Sequence, residues 1–120
     1  MDIIKVNLKK RSYDIIIGGG ILKLFGKFIS RLQLGNTAYI ITNAYLKSKY
    51  GAQLNRALKK AGFRTKFKLI PDTEKSKSLE TASLIVKDIT RFDKKDKVFI
   101  VAFGGGVIGD LSGFVASIYK

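Results

Sequence analysis

The most informative segment of the sequence reads Gly104-Gly105-Gly106-Val107-Ile108-Gly109-Asp110. An apolar run at residues 98–103 precedes it and predicts a buried strand, and residues 111–119 predict a helix. Three of the glycines have the G-x-G-x-x-G spacing, which is typical of a nucleotide-binding loop when it joins a strand to a helix. Such glycines let a pyrophosphate approach the backbone, and the following helix start attracts its charge. A glycine turn that only joins the two elements gives the same pattern.

Strands and helices alternate along the rest of the chain. Polar and apolar residues alternate in a predicted hairpin, residues 4–8 and 13–17, and a short helix is predicted at 21–32. Strands are then predicted at 38–42, 63–69 and 98–103, with one helix between each successive pair. The apolar face of the first of these helices carries Leu46, Tyr50, Leu54, Leu58 and Ala61. The apolar face of the second carries Leu79, Ala82, Ile85, Ile89 and Phe92. This order predicts one α/β domain, a Rossmann-like parallel sheet with helices on both faces, preceded by an N-terminal β-hairpin. The strands at 38–42 and 98–103 are almost wholly apolar, which is typical of central strands.

Polar loops follow three of the predicted strands. In a parallel sheet such loops meet at one edge, where ligands bind. They carry Thr42-Asn43, residues 72–77 and the glycine segment with Asp110, whose carboxylate is within reach of ribose or substrate hydroxyls. Glu74 and Lys77 could both face one ribose there. Alternatively, Asp72 or Ser76 caps a helix, Glu74 complements its dipole and Lys77 is solvated. The triplet Gly18-Gly19-Gly20 also follows a strand, and its main interpretation is a turn.

Composition excludes several classes of protein. The 120 residues contain no cysteine and no histidine, which argues against a disulfide scaffold, a self-contained zinc hydrolase and a triad enzyme. The formal net charge is +14, but its densest clusters, Lys9-Lys10-Arg11 and Lys94-Lys95, lie in predicted turns. No nucleic-acid motif, secretory peptide or membrane span is recognisable. We therefore expect no nucleic-acid or membrane partner, and a lysine-rich surface that helps to attract phosphorylated ligands.

Four segments resemble one known family. Residues 104–119, GGGVIGDLSGFVASIY, resemble the signature of dehydroquinate synthases, and residues 71–80, PDTEKSKSLE, resemble the family's second motif with its Asp-x-Glu-x-x-Lys spacing. Residues 11–18, RSYDIIIG, and Thr42-Asn43 are also similar. The triple glycine and the aspartate are shared with glycerol and iron-dependent alcohol dehydrogenases and with other sugar phosphate cyclases. The NAD-binding domain of such a relative is therefore an alternative, and a stand-alone basic nucleotide-binding module is another.

The resemblance implies a lyase of the shikimate pathway and of aromatic amino acid biosynthesis that uses NAD and a divalent metal, zinc or cobalt. In the family, a deoxyheptulosonate phosphate is transiently oxidised, loses phosphate, is reduced and closes to dehydroquinate, in a cytoplasmic homodimer. Asn43 would contact the adenosine ribose, Glu74 and Lys77 would act in the nucleotide loop, and Asp110 would position cofactor and substrate. The full set of implied cofactor residues is Asn43, Asp72, Thr73, Glu74, Lys75, Ser76, Lys77, Gly105, Gly106, Val107, Ile108, Gly109 and Asp110.

The sequence ends at Lys120, where the family continues with a substrate-binding arginine. The resemblance therefore implies an incomplete NAD-binding domain, residues 1–120, without the C-terminal helical domain. We expect the catalytic lysines and the metal ligands to lie outside this chain, which on its own would be inactive.

Overall fold

The computed structural model describes residues 1–93 and 96–119. Lys94 and Lys95, for which the sequence predicts a turn, lie outside the described residues. The elements are β1 (Asp2–Val6), β2 (Tyr13–Ile17), α1 (Phe25–Ser30), β3 (Thr37–Thr42), α2 (Ala44–Lys60), β4 (Arg64–Leu69), α3 (Leu79–Phe92), β5 (Val98–Ala102) and α4 (Gly106–Tyr119). Short 3-10 turns lie at Lys9–Arg11, Ile21–Leu24 and Glu74–Ser76.

The central sheet is parallel, in the order β4-β3-β5. Ile40 of β3 lies opposite Phe67 on one side and Val101 on the other, and every residue of β3 is buried. The prediction of a central strand is thus confirmed at residues 38–42. It is wrong for residues 98–103 within the described sheet, because β5 lies at an edge and Ala102 is exposed.

Helices cover both faces of the sheet, as predicted. Because side chains alternate along a strand, Ile40 packs with Leu54 and Leu58 of α2, whereas Ile41 packs with Ile85 of α3. Helix α1 packs on the face that α2 covers, and α4 on the face that α3 covers. The sheet therefore separates two apolar cores.

The predicted hairpin is confirmed as the antiparallel pair β1–β2, with Ile4 opposite Ile15. It forms a separate two-stranded sheet, and four of its five isoleucines are exposed, Ile16 being half-buried. The cluster Lys9-Lys10-Arg11 lies in the turn between the strands, as expected.

Helix ends differ from the sequence prediction in two places. The helix expected at 21–32 is a 3-10 turn followed by α1, which ends at Ser30. Leu79 is 71% exposed because it begins α3, so the buried stripe of that helix starts at Ala82. Gly62 follows the end of α2, with the positive φ of 94° that favours glycine.

Candidate nucleotide-binding site

The carboxyl edge of the sheet contains a topological switch point between β3 and β5. These strands are neighbours, but the chain leaves β3 toward α2 on one face and leaves β5 toward α4 on the other. The two connections therefore diverge and leave a crevice between them. In open α/β sheets, this crevice is where ligands bind.

Hydrogen bonds tie the loops at this edge together. The Thr42 hydroxyl donates to the carbonyl oxygen of Phe103 at 2.6 Å. The Asn43 side chain caps α2 by accepting from the Leu46 amide at 2.8 Å, and its Nδ2 donates to Asp72 Oδ2 at 3.4 Å. The three polar loops that the sequence placed at one edge are thus in contact through Thr42 and Asn43.

The glycine segment is more helical than expected. Helix α4 begins at Gly106, so Asp110 lies in its second turn rather than at its start. The Gly109 amide donates to the Gly105 carbonyl at 2.9 Å, closing the first turn. The amides that precede Gly109 in this turn have no intrahelical acceptor, and they form the positive end of the helix dipole.

The glycines of this segment have different physical roles. A Cβ on Gly104 would lie 2.9 Å from Cγ1 of Ile108, so Gly104 permits close packing. A Cβ on Gly105 or Gly106 would meet no atom within 4 Å, and neither residue has a positive φ. The fold itself therefore does not require glycine at 105 and 106, and the open space beside them is available to a ligand.

The loop before α3 is held by its own hydroxyls. Ser76 is buried and donates to the Pro71 carbonyl at 2.6 Å. Ser78 caps α3 by accepting from the Thr81 amide at 3.1 Å. The alternative in which Asp72 or Ser76 caps the helix is therefore wrong, because Ser78 occupies the cap position of α3.

Lys77 joins this loop to α4. Its Nζ lies 3.0 Å from Asp110 Oδ2 and 3.5 Å from Glu74 Oε2. The hydrogen bond to Asp110, with the charges of Asp110 and Glu74, raises the pKa of Lys77 above its ordinary value. Lys77 is exposed, as the solvated alternative has it, and its ammonium also lies within ion-pair distance of Glu74 and Asp110.

A cavity of about 300 Å³ opens beside this ion pair. Its walls are mainly apolar, and the lining residues are Lys77, Ser78, Leu79, Asp110, Leu111 and Phe114. Sequence reasoning missed Leu79 and Phe114 as site residues, because helical spacing placed Leu79 in the core. The signals that could have found them are positions close to predicted site residues: Phe114 lies one helical turn after Asp110, and Leu79 lies two residues after Lys77.

The remaining predicted residues divide between surface and core. Asp72, Thr73 and Lys75 are exposed on the loop before α3, and Val107 is half-buried at the start of α4. Ile108 is fully buried in the core, so only its backbone can contact a ligand. Within residues 1–93 and 96–119, no group of three or more His, Cys, Asp or Glu side chains is placed to hold a metal ion.

The sequence is similar to that of 3-dehydroquinate synthases. Residues 67–120 match the family model described as 3-dehydroquinate synthase N-terminal. Over 119 residues the chain is 40% identical to 3-dehydroquinate synthase of Thermodesulfovibrio yellowstonii, covering 99% of this chain and 33% of that protein. It is 39% identical over 114 residues to the enzyme of Enterococcus faecalis, covering 95% and 32%. The chain thus spans about a third of the length of these relatives.

Solved structures show the same fold. A crystal structure of 2-deoxy-scyllo-inosose synthase, complexed with carbaglucose-6-phosphate, NAD+ and Co2+, matches with a TM-score of 0.82 at 17% identity, covering 98% of this chain and 31% of that chain. The 2-epi-5-epi-valiolone synthase of Streptomyces hygroscopicus subsp. jinggangensis, with NAD+ and Zn2+ bound, matches with a TM-score of 0.73 at 28% identity, covering 95% and 31%.

The fold is that of about a third of these solved sugar phosphate cyclases. Within that class, the family-model match at residues 67–120 and the similarity of nearly the whole chain to these relatives support an N-terminal portion of 3-dehydroquinate synthase.

Proposed function

We propose that residues 1–120 form the NAD-binding α/β portion of a 3-dehydroquinate synthase. The observation that carries this proposal is the switch point between β3 and β5, where a glycine-lined helix start meets a polar loop joined to it by an ion pair. Sequence similarity over nearly the whole chain to 3-dehydroquinate synthases supports the same reading.

The pyrophosphate would lie at the start of α4. Gly105, Gly106 and Val107 would line it, because the absent Cβ atoms at 105 and 106 leave the backbone amides accessible. No acidic residue lies in the first turn of α4, so an anion there meets only the helix dipole and the free amides.

The polar loops would bind the two riboses of NAD and orient its nicotinamide ring. Asn43 would contact the adenosine ribose, and residues 72–77 would form the nucleotide loop with Glu74 and Lys77 as its main side chains. Asp110 would position the nicotinamide half, while its bond to Lys77 fixes the carboxylate. NAD, when bound, supplies a transient hydride acceptor.

In the complete enzyme the substrate would be a deoxyheptulosonate phosphate, which loses phosphate and closes to dehydroquinate in the shikimate pathway. We further propose a cytoplasmic homodimer without nucleic-acid or membrane partners. No helix of the described residues is long and apolar enough to cross a membrane. A zinc or cobalt ion is proposed for the complete enzyme, but the residues described here do not fit it, so we assign it no ligand in this chain.

The test is a titration of the 120-residue chain with NAD, followed through backbone amide NMR shifts. We expect shifts at Asn43, Gly105 and Gly106, with a dissociation constant above the low micromolar range, because ordering exposed loops opposes binding. We also expect no phosphate release from the substrate with NAD and zinc supplied. NAD that leaves these amides unshifted at millimolar concentration would contradict the NAD site, and phosphate release above blank would contradict the inactivity of the chain.

A further inference from the structure

A cavity of about 390 Å³ lies between α1 and α2, away from the proposed NAD site. Its apolar wall is formed by Leu24, Ala57 and Ala61. Beside it the two helices meet closely, because a Cβ on Gly26 would collide with the Ala57 carbonyl oxygen. This close contact fixes the spacing of α1 and α2, so the cavity is a preformed feature of the fold.

Three lysines line this cavity, which we call the lysine cavity. Lys23 and Lys27 lie on its α1 side, and Lys60 belongs to the last turn of α2. Ser30 adds a hydroxyl to the same lining. Among the described residues, no carboxylate lies within ion-pair distance of any of the three lysines. Three positive charges therefore line one cavity without a counter-charge from these residues.

The sequence around these lysines lacks acidic residues. Residues 15–71 contain eleven lysines and arginines and no aspartate or glutamate, so every charged side chain of α1 and α2 is positive. Lys23 and Lys27 are four positions apart, a spacing at which like charges on a helix repel. The dipole of α2 favours Lys60 at its end, but it does not account for the other two lysines. An anion bound between the three would offset their repulsion.

The lysine cavity lies toward the opposite edge of the sheet from the glycine segment. Helix α2 begins after Asn43 at the carboxyl edge and runs back for 17 residues. A helix of that length spans about 25 Å. Lys60 is therefore near the amino edge, where β4 begins at Arg64. A ligand in this cavity would be separate from the dinucleotide.

We propose that the lysine cavity binds a small soluble anion that carries a phosphate or diphosphate group. Lys23, Lys27 and Lys60 donate to the phosphate oxygens, since ammonium groups bind phosphate as point charges. The Ser30 hydroxyl is a further donor, and the apolar wall accommodates the carbon atoms of an organic phosphate. Because the lysines are exposed, this binding weakens as the salt concentration rises.

The experiment titrates the 120-residue chain with inorganic pyrophosphate at constant ionic strength, followed by amide NMR shifts. We expect shifts at Ala57 and Ala61. Lys27→Gln and Lys60→Gln should each weaken this binding by about fivefold, as loss of one exposed ion pair does. Lys59→Gln is the matched control, because Lys59 lies in the same last turn of α2 but does not line the cavity. It removes the same charge and should bind pyrophosphate within about twofold of the original chain.

Two outcomes would overturn the inference. One is that millimolar pyrophosphate leaves the Ala57 and Ala61 amides unshifted. The other is that Lys59→Gln weakens binding as much as Lys60→Gln, because the anion then responds only to net charge. Shifts at Gly105 and Gly106 report the proposed NAD site separately, so the failure of one site is distinguishable from the failure of the other.

Discussion

Lys77 shows how one side chain can connect two elements that are far apart in sequence. It sits on the loop before α3, yet its closest partner is Asp110 on α4. Both groups are partly exposed, so the ion pair adds little to global stability. Its effect is local, because it orients a carboxylate at the rim of the crevice and holds the loop against the helix.

At the residue scale, we predict that Asp110→Asn lowers the pKa of Lys77 toward its ordinary value. The cause is loss of the charge-assisted hydrogen bond, which is the largest contribution to the upward shift. Glu74→Gln is the matched control and should lower the pKa less. The measurement is an NMR titration of the Lys77 side chain. A pKa that Glu74→Gln lowers more than Asp110→Asn would contradict the observed geometry.

At the scale of elements, periodicity predicted most of the fold. The order of strands and helices and the parallel sheet followed from apolar spacing, because burial of one face determines that spacing. The predicted faces of α2 and α3 are buried in their central turns, whereas Tyr50 and Leu79, which the same spacing placed on them, are exposed. Element ends were less predictable. The start of α3 depends on which serine caps the helix. Ser76 bonds to Pro71 and Ser78 caps α3, and apolar spacing does not distinguish these two local hydrogen bonds.

The candidate site was only partly predictable from the sequence. The three loops could be assigned to one edge from topology, but the ion pair of Lys77 with Asp110 could not. This ion pair joins positions 33 residues apart, and local sequence spacing does not predict contacts at that separation. The cavity walls at Leu79 and Phe114 were missed because an apolar residue at helical spacing is ordinarily a core residue.

Two glycines in helices give a prediction at this scale. Gly113→Ala should stabilise the chain by about 1 kcal/mol, because a Cβ there meets no atom within 4 Å and alanine favours the helix. Gly26→Ala should destabilise it by about 1–3 kcal/mol, because the new Cβ would collide with the Ala57 carbonyl where α1 packs on α2. Urea unfolding measures both. Equal stability of the two variants would contradict this packing.

At the scale of the whole molecule, the two apolar cores share the central strand β3. Tyr39 of this strand is fully buried, and its hydroxyl donates to Asp88 Oδ2 at 2.7 Å. Burial, followed by the bond to Asp88, raises the pKa of Tyr39 far above its ordinary value of 10.0. Burial and Asp93 raise that of Tyr119 to about 12.

These shifts predict that stability falls above pH 10. The unfolded chain loses the two tyrosine protons near pH 10, whereas the folded chain retains them, so unfolding releases protons and becomes easier as the pH rises. For Tyr119 the loss is complete above about pH 12. The urea midpoint of the original chain should therefore be lower at pH 11 than at pH 9. In Tyr39→Phe this difference between the two midpoints should be smaller, whereas in the control Tyr13→Phe it should be the same as in the original chain. An unchanged difference in Tyr39→Phe would contradict the role of Tyr39.

The most direct test of the NAD site compares Gly105→Ala with Gly113→Ala in amide NMR titrations with NAD. A Cβ at either position meets no protein atom within 4 Å, so both variants should fold. Only the one at Gly105 enters the space proposed for the pyrophosphate. We expect Gly105→Ala to lose the NAD-dependent shifts of the α4 amides, while Gly113→Ala binds NAD like the original chain. Equal binding by the two variants would show that the glycine segment is not the pyrophosphate site.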